Sequence, residues 1–157
     1  MECTVSWTGH GATERGESAM GFSAATGSGH MLRMDGAPDA AKPEHGGLNS
    51  AARPMEMVLV GTGGCTAYDV VLILKRGRHA VQGCDIQIKA DRASLDPKVF
   101  TAIHMHFVVT GSALNAGAVE RAIALSHEKY CSASIMLAKT ATITTSFELK
   151  EAARPPI

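Results

Sequence analysis

The stretch EMVLVGTGGCTAYDVVLILKRG, residues 56–77, limits the fold more than any other part of the 157-residue chain. It admits two incompatible readings. In one, residues 57–60 are a buried strand, Gly61, Gly63 and Gly64 belong to a phosphate-cradling turn, and residues 69–76 are the helix of a nucleotide-binding unit. In the other, a single helix runs from Pro54 to about Gly77 and carries Cys65 in its middle. Pro54 suits a first helical position, Glu56 suits the first turn, and Lys75, Arg76 and Gly77 suit an end. Thr66 stands where a G-x-G-x-x-G motif needs its third glycine. Each glycine inside such a helix costs about 1 kcal/mol relative to alanine, so the pattern suits close approach of another backbone.

The flanking sequence decides between them. CTVSW (3–7), ESAMGFSAA (17–25) and HMLRMDG (30–36) read as three strands bounded by turn residues. Residues 36–53 form a Pro-, Gly- and Ala-rich loop without periodicity, expected to be flexible. Beyond the helix, CDIQIKADRA (84–93) sets Ile86, Ile88 and Ala90 against Gln87, Lys89 and Asp91. KVFTAIHMHFVVTG (98–111) places Ile103, Met105, Phe107 and Val109 on one face, and the SLDP turn between the two makes an antiparallel hairpin. Residues 114–129 show helical spacing through Val119, Ala122, Ile123 and Ser126. SASIMLAK (132–139) reads as a short helix, and TATITTSFEL (140–149) as a strand with Ala141, Ile143, Thr145, Phe147 and Leu149 on one face. Residues 151–157 read as a frayed tail. The order βββ–α–ββ–αα–β is a segregated α+β domain over residues 1–150. A dinucleotide fold would begin with its glycine motif and continue through parallel strands separated by helices, so the helix reading stands.

Composition removes other classes. Lys plus Arg equals Asp plus Glu at 15 each, which leaves no basic surface for nucleic acid. A neutral chain that is 45% hydrophobic favours self-association. No secretory signal is visible, and Asp69, Thr62, Thr66 and the glycines interrupt the apolar run of residues 57–74, so a buried helix is expected rather than a membrane span. A reducing cytoplasm is the expected compartment. Four cysteines there, Cys3, Cys65, Cys84 and Cys131, read as free thiols or redox groups. None forms a C-x-x-C pair, and His104 and His106 share a strand face without an evident third ligand, so no metal site and no cofactor are expected. Spacing alone leaves Cys65 open between a small buried hydrophobe and a reactive thiol. Asp69, one turn further on, suits either a hydrogen bond near that thiol or an ion pair. Tyr68 and Tyr130 read as packing residues, and Cys3 and Cys84 as buried or incidental thiols.

RPMEMVLVGTGGCTAYDVV, followed 66 residues beyond its cysteine by EKYCSASIMLAK, resembles the OsmC/Ohr family, and most of all its PMEMVL…GGC subgroup. The resemblance covers nearly the whole chain. It implies an intertwined homodimer, with antiparallel sheets packed around a long central helix and active sites at the subunit interface. Members of the hydroperoxide-resistance branch are thiol peroxidases that reduce organic hydroperoxides. By position, Cys65 would be the peroxidatic thiol and Cys131 the resolving one, with a small dithiol or lipoyl-type reductant restoring both. A free thiol is only a few per cent ionised near neutral pH, so Cys65 would need a cation. Arg33, in HMLRMDG, resembles the family arginine; Arg15 and Arg53 are the alternatives. One departure stands out. The branch places a glutamate directly after the helix-starting proline, whereas this chain has Met55 there and its carboxylate at Glu56. Nine residues separate Glu56 from Cys65, about two and a half turns of a regular helix, so the two lie about 180° apart and face opposite sides. The rival reading is a related small-molecule-binding or redox-sensing protein with little turnover.

Overall fold

The computed structural model of the protein describes residues 1–10 and 16–153. The chain divides into two compact units, Met1–Val58 and Leu59–Ile157. In the first, β1 (Cys3–Trp7), β2 (Phe22–Thr26) and β3 (Met31–Met34) form an antiparallel sheet in the order β1-β2-β3. Gly29, at φ +83°, closes the β2–β3 turn by donating to the Thr26 carbonyl. This sheet leaves Val5, Trp7, Met31 and Leu32 exposed.

A single carboxylate organises the segment that follows. Asp35 is 1% exposed and accepts from the Ser18 hydroxyl, the Gly36 amide (2.7 Å), the Leu48 amide (3.1 Å) and both the amide and hydroxyl of Ser50 (2.8 and 2.7 Å). It thereby ties both ends of the 36–53 loop together. Within that loop Pro43–His45 forms a 3-10 turn, and Asp39 accepts from the Ala41 and Lys42 amides. Gly47 approaches so closely that a Cβ there would collide with the Gly36 carbonyl and the Asp35 carboxylate. Burial alone would raise the Asp35 pKa, but the donors from Ser18, Ser50 and Gly36 outweigh it and hold the group well below the usual carboxylate range.

The long helix α1 runs Pro54–Arg76, as its sequence predicts. Its end differs in one respect. The left-handed residue is Arg78 (φ 59°), not Gly77; Arg78 and His79 donate to the Lys75 and Leu74 carbonyls in a Schellman closure. Burial follows a narrow stripe, Thr62, Thr66, Val70 and Leu74, joined by Gly63, where a Cβ would lie 2.8 Å from Ile88 Cδ1. The expected burial therefore holds for one face. By length and apolarity α1 meets the criterion for a membrane-spanning helix, and 28% of its apolar window is buried within the chain. Around Gly61 and Gly64 there is open space and Gly63 meets only the Ile88 side chain, so the close backbone approach that the glycine pattern suggested is found at none of the three within this chain.

The second unit continues with β4 (Ala80–Arg92) and β5 (Phe100–Ser112), which pair antiparallel as expected. Ile103, Met105, Phe107 and Val109 of β5 are at most 1% exposed and form a core with Val70, Leu74, Val119, Ala122 and Ile123. Next come α2 (Ala116–Leu125), a π turn (Ser126–Tyr130), α3 (Ser132–Leu137) and β6 (Thr142–Glu151). The α2 start is capped by Asn115, whose side chain accepts from the Ala118 amide (3.0 Å). Here the expectation of purely antiparallel sheets needs correction: β6 runs parallel to β5, giving a mixed sheet in the order β4-β5-β6. The helices between β5 and β6 make a crossover long enough to return the chain to the same end of the sheet. The face expected for β6 is only partly covered, with Ile143 and Phe147 half-buried and Thr145 and Leu149 exposed on this edge strand. Residues 151 and 152 of the tail are held, since Ala152 donates to Gly111.

Asp35→Asn should destabilise the first unit by about 2–3 kcal/mol at neutral pH, because several donors lose a charged acceptor. The folded pKa of Asp35 lies below its unfolded value of about 3.9, so its contribution is full above that value and fades as pH falls below it. Denaturant midpoints of wild type and variant should therefore converge below about pH 4; equal midpoints at pH 7 would remove Asp35 as the loop anchor.

Candidate functional site

The second unit assembles a small polar cluster from residues distant in sequence. Helix α1 supplies Cys65 and Asp69, one turn apart on the same side. Thr66, on the buried stripe, points its hydroxyl at the Thr62 carbonyl (3.0 Å) and the Cys131 sulfur (3.4 Å). The other half comes from the α2–α3 junction. There the helix widens into the π turn, whose last bond runs from the Cys131 amide to the Ser126 carbonyl (2.8 Å). Ser126 is thereby turned inward and donates from its hydroxyl to Asp69 Oδ2 (2.9 Å). Cys131 leaves the turn extended and caps α3, its sulfur accepting from the Ser134 amide (3.4 Å).

The result brings Cys65 Sγ, Cys131 Sγ and an Asp69 carboxylate oxygen within 4.8 Å of one another. Cys65 is half-buried and Cys131 fully buried. Both are free thiols. Their electrostatics diverge. Burial pushes the Cys65 thiol up, and it is raised further by donating to Cys131 and by the nearby Asp69, against a single amide donor from Ala133. Burial also acts upward on Cys131, but donors from Cys65, Ser134 and Thr66 outweigh it and the thiol is pulled down. Within this cluster the negative charge prefers Cys131.

The other residues singled out from sequence lie elsewhere. Glu56 reaches back to the Arg53 amide (2.9 Å), acting as the N3 half of a capping box. Arg53 donates from Nε and Nη2 to Asn49 Oδ1 (3.3 and 3.1 Å), which fixes it to the loop. Arg33 is an exposed residue of β3, paired in register with Ser23 and lining a cavity of about 620 Å³ in the first unit. Among the described residues no carboxylate forms an ion pair with it. Arg15 lies outside the described residues. His104 bonds Thr144 and Ser146, and His106 bonds Ser146, so the two histidines form a hydroxyl ladder across β5 and β6. Tyr68 and Tyr130 are 69% and 49% exposed rather than packed. Cys3 is exposed and Cys84 half-buried.

Sequence reasoning passed over Thr66, Ser134 and the hydroxyl of Ser126. A buried Ser or Thr next to a cysteine is a weak signal, because its partner is set by the fold. It also missed His127, whose ring nitrogens are buried without a hydrogen-bond partner among the described residues and whose ring meets Phe107 edge-on at 6.3 Å. Burial lowers its pKa, which favours the neutral imidazole.

Comparison with known proteins places the chain in a family. The sequence profile of the family described as OsmC-like protein matches residues 47–146, well over half of the chain. Protein YhfA of Escherichia coli (strain K12) is 43% identical over 149 residues, covering 95% of this chain and 98% of its own. A hypothetical protein from Aquifex aeolicus VF5 has a solved structure with TM-score 0.74 and 29% identity, covering 97% of each chain. The organic hydroperoxide resistance protein OhrB of Bacillus subtilis shares the fold at TM-score 0.58 and 15% identity, over 94% of this chain and 98% of its own. With its helix-borne cysteine, its second cysteine at the α2–α3 junction and this profile match, the chain belongs to the OsmC-like family.

Proposed function

We propose that the protein is a cysteine-based thiol peroxidase acting on organic hydroperoxides in a reducing cytoplasm. The observation that carries this reading is the pairing of a half-exposed thiol, Cys65, with a buried one, Cys131, within 4.8 Å. The Cys65 thiolate attacks the outer peroxide oxygen; the O–O bond breaks, the alcohol leaves with a proton, and Cys65 becomes a sulfenic acid. Cys131 then attacks the Cys65 sulfur, forming the disulfide and releasing water. The donors from Thr66 and Ser134 favour a Cys131 thiolate, which suits this second step. A small dithiol or lipoyl-type reductant restores both thiols. A fold neighbour, OhrB of Bacillus subtilis, bears the name organic hydroperoxide resistance protein.

The first step asks for a cation, because the groups around Cys65 disfavour its thiolate. Arg33 is the residue proposed to supply it, with Glu56 serving the helix start instead of an arginine clamp. The working form is proposed to be a homodimer. Val58, Val60 and Tyr68 on α1 and Val5, Trp7 and Met31 in the first sheet are apolar and exposed, and open space surrounds Gly61 and Gly64. The raised Cys65 thiol supports one rival, a redox-sensing or small-molecule-binding protein with little turnover.

Turnover of cumene hydroperoxide with a dithiol separates the two. Cys65→Ser should abolish it. Cys131→Ser should leave Cys65 as a sulfenic acid that dimedone labels, and peptide mapping of the peroxide-treated wild type should recover a Cys65–Cys131 disulfide. Recovery of Cys84 or Cys3 as partner would overturn the resolving role.

Arg33→Met keeps the apolar stem and removes the charge. The rate at pH 7 should fall about tenfold or more, as for loss of one charged transition-state donor, and alkylation of Cys65 should slow with it. Glu56→Gln should change either rate little. An unaltered rate in Arg33→Met would remove that arginine from the site. Sedimentation of the wild type should give about twice the 16.4 kDa chain mass; a folded monomer at micromolar concentration would exclude the dimer.

A further inference from the structure

The two sulfurs and the carboxylate that meet on α1 and the α2–α3 junction have a second chemistry that peroxide reduction does not use. We propose that Cys65, Asp69 and Cys131 of the reduced protein form a three-ligand site for a thiophilic divalent cation, Zn²⁺ foremost, with an open fourth position. The absence of any C-x-x-C pair argues against a zinc site only for ligands that are neighbours in sequence. Here the fold brings together ligands 66 residues apart.

Geometry supports the fit. In a tetrahedral site with Zn–S about 2.3 Å and Zn–O about 2.1 Å, ligand atoms lie roughly 3.4–3.8 Å apart. The three present here are already within 4.8 Å of one another, so shifts of about 1 Å or less close the site. Cys65 and Asp69 stand four residues apart on α1, a spacing that puts two side chains on one side of a helix, as paired ligands of helical zinc sites require.

Surroundings support it too. Ser126 donates to Asp69 Oδ2 and orients the carboxylate, as outer hydrogen bonds orient metal ligands. The Thr66 hydroxyl and Ser134 amide aim at the Cys131 sulfur and stabilise it as a thiolate, the form that binds metal. Among the described residues no Lys, Arg or His forms an ion pair with Asp69. A half-buried carboxylate beside two thiols thus has one hydroxyl donor, Ser126, but no ion-pair partner among the described residues. Thiolate and carboxylate together suit Zn²⁺, whereas Mg²⁺ and Ca²⁺ prefer all-oxygen sites.

The same sulfurs cannot both bind the ion and form a disulfide. Oxidation of the zinc-bound pair by a hydroperoxide joins the two sulfurs and releases Zn²⁺; two protons are consumed, and the peroxide leaves as alcohol and water. The metal site and the peroxidase reading therefore share residues, but metal binding can be measured without peroxide or turnover, so either can fail alone.

The reduced full-length protein, titrated anaerobically with Co²⁺ as a spectroscopic stand-in, should take up one ion per chain. It should show a thiolate-to-cobalt charge-transfer band and the strong visible bands of tetrahedral Co²⁺, and Zn²⁺ should displace the cobalt. Zn²⁺ should also protect Cys65 and Cys131, but not Cys3, from alkylation. Asp69→Asn should weaken Zn²⁺ binding about tenfold or more, measured against a chromophoric chelator. Cys131→Ser should abolish the charge-transfer spectrum, and Cys84→Ser should leave it unchanged. Wild type carrying the Cys65–Cys131 disulfide, which keeps every residue in place, should not bind. Absence of the charge-transfer band in the reduced wild type, undiminished binding in Asp69→Asn, or binding by the disulfide form would overturn the proposal.

Discussion

Thr62, Thr66, Val70 and Leu74 repeat every four residues along α1, and the burial of this narrow stripe is the constraint from which the site follows. The stripe must satisfy two demands at once. Its lower half joins the apolar core with Ile103, Met105 and Phe107, while its upper half buries two hydroxyls. A buried hydroxyl left unpaired costs about 1–3 kcal/mol, so Thr66 must find acceptors. It reaches one on its own helix, the Thr62 carbonyl, and another on Cys131. Cys65 is the next residue round the helix, about 100° away, which places it at the margin of the stripe, neither sealed nor fully open. Rotating α1 by one residue would lose the core contacts and the thiol pairing together.

The second consequence is electrostatic asymmetry. Cys131 ends a π turn and begins a helix, so backbone and hydroxyl donors converge on its sulfur. Cys65 has one amide donor and sits beside Asp69, whose charge opposes a second negative group. The pair therefore has one sulfur that its surroundings favour as a thiolate and another that they disfavour, and under the proposed peroxidase reading the second depends on a cation. That dependence is where the peroxidase, sensing and metal-binding readings diverge, because an arginine and a divalent ion would each lower the same cost by different means.

The first unit shows the same logic in a structural setting. Asp35 gathers donors from Ser18, Gly36, Leu48 and Ser50, and a segment with no periodic pattern acquires a defined path. In HMLRMDG, which reads as a strand, the aspartate carries no signal of its own. Its donors are up to 17 positions away, and nothing local distinguishes it from an exposed aspartate.

Local pattern by itself determined the elements. The proline start and apolar span of 54–76 fixed α1, the alternation of Ile103 to Val109 fixed the buried face of β5, and the turn between two alternating runs fixed the hairpin. The order of elements was legible because periodicity is a short-range property of a chain, whereas the candidacy of Cys65 and Cys131 came from the resemblance of their two segments to the family. Tertiary structure alone decided the parallel seating of β6, the left-handed Arg78, the inward turn of Ser126 and the meeting of Cys65, Asp69 and Cys131. Each of these depends on contacts between residues that only packing brings together, or, at Arg78, on a backbone conformation that glycine would adopt more easily and that helix closure imposes regardless. A side chain's type states what it can bond; the burial of its neighbours states what it must.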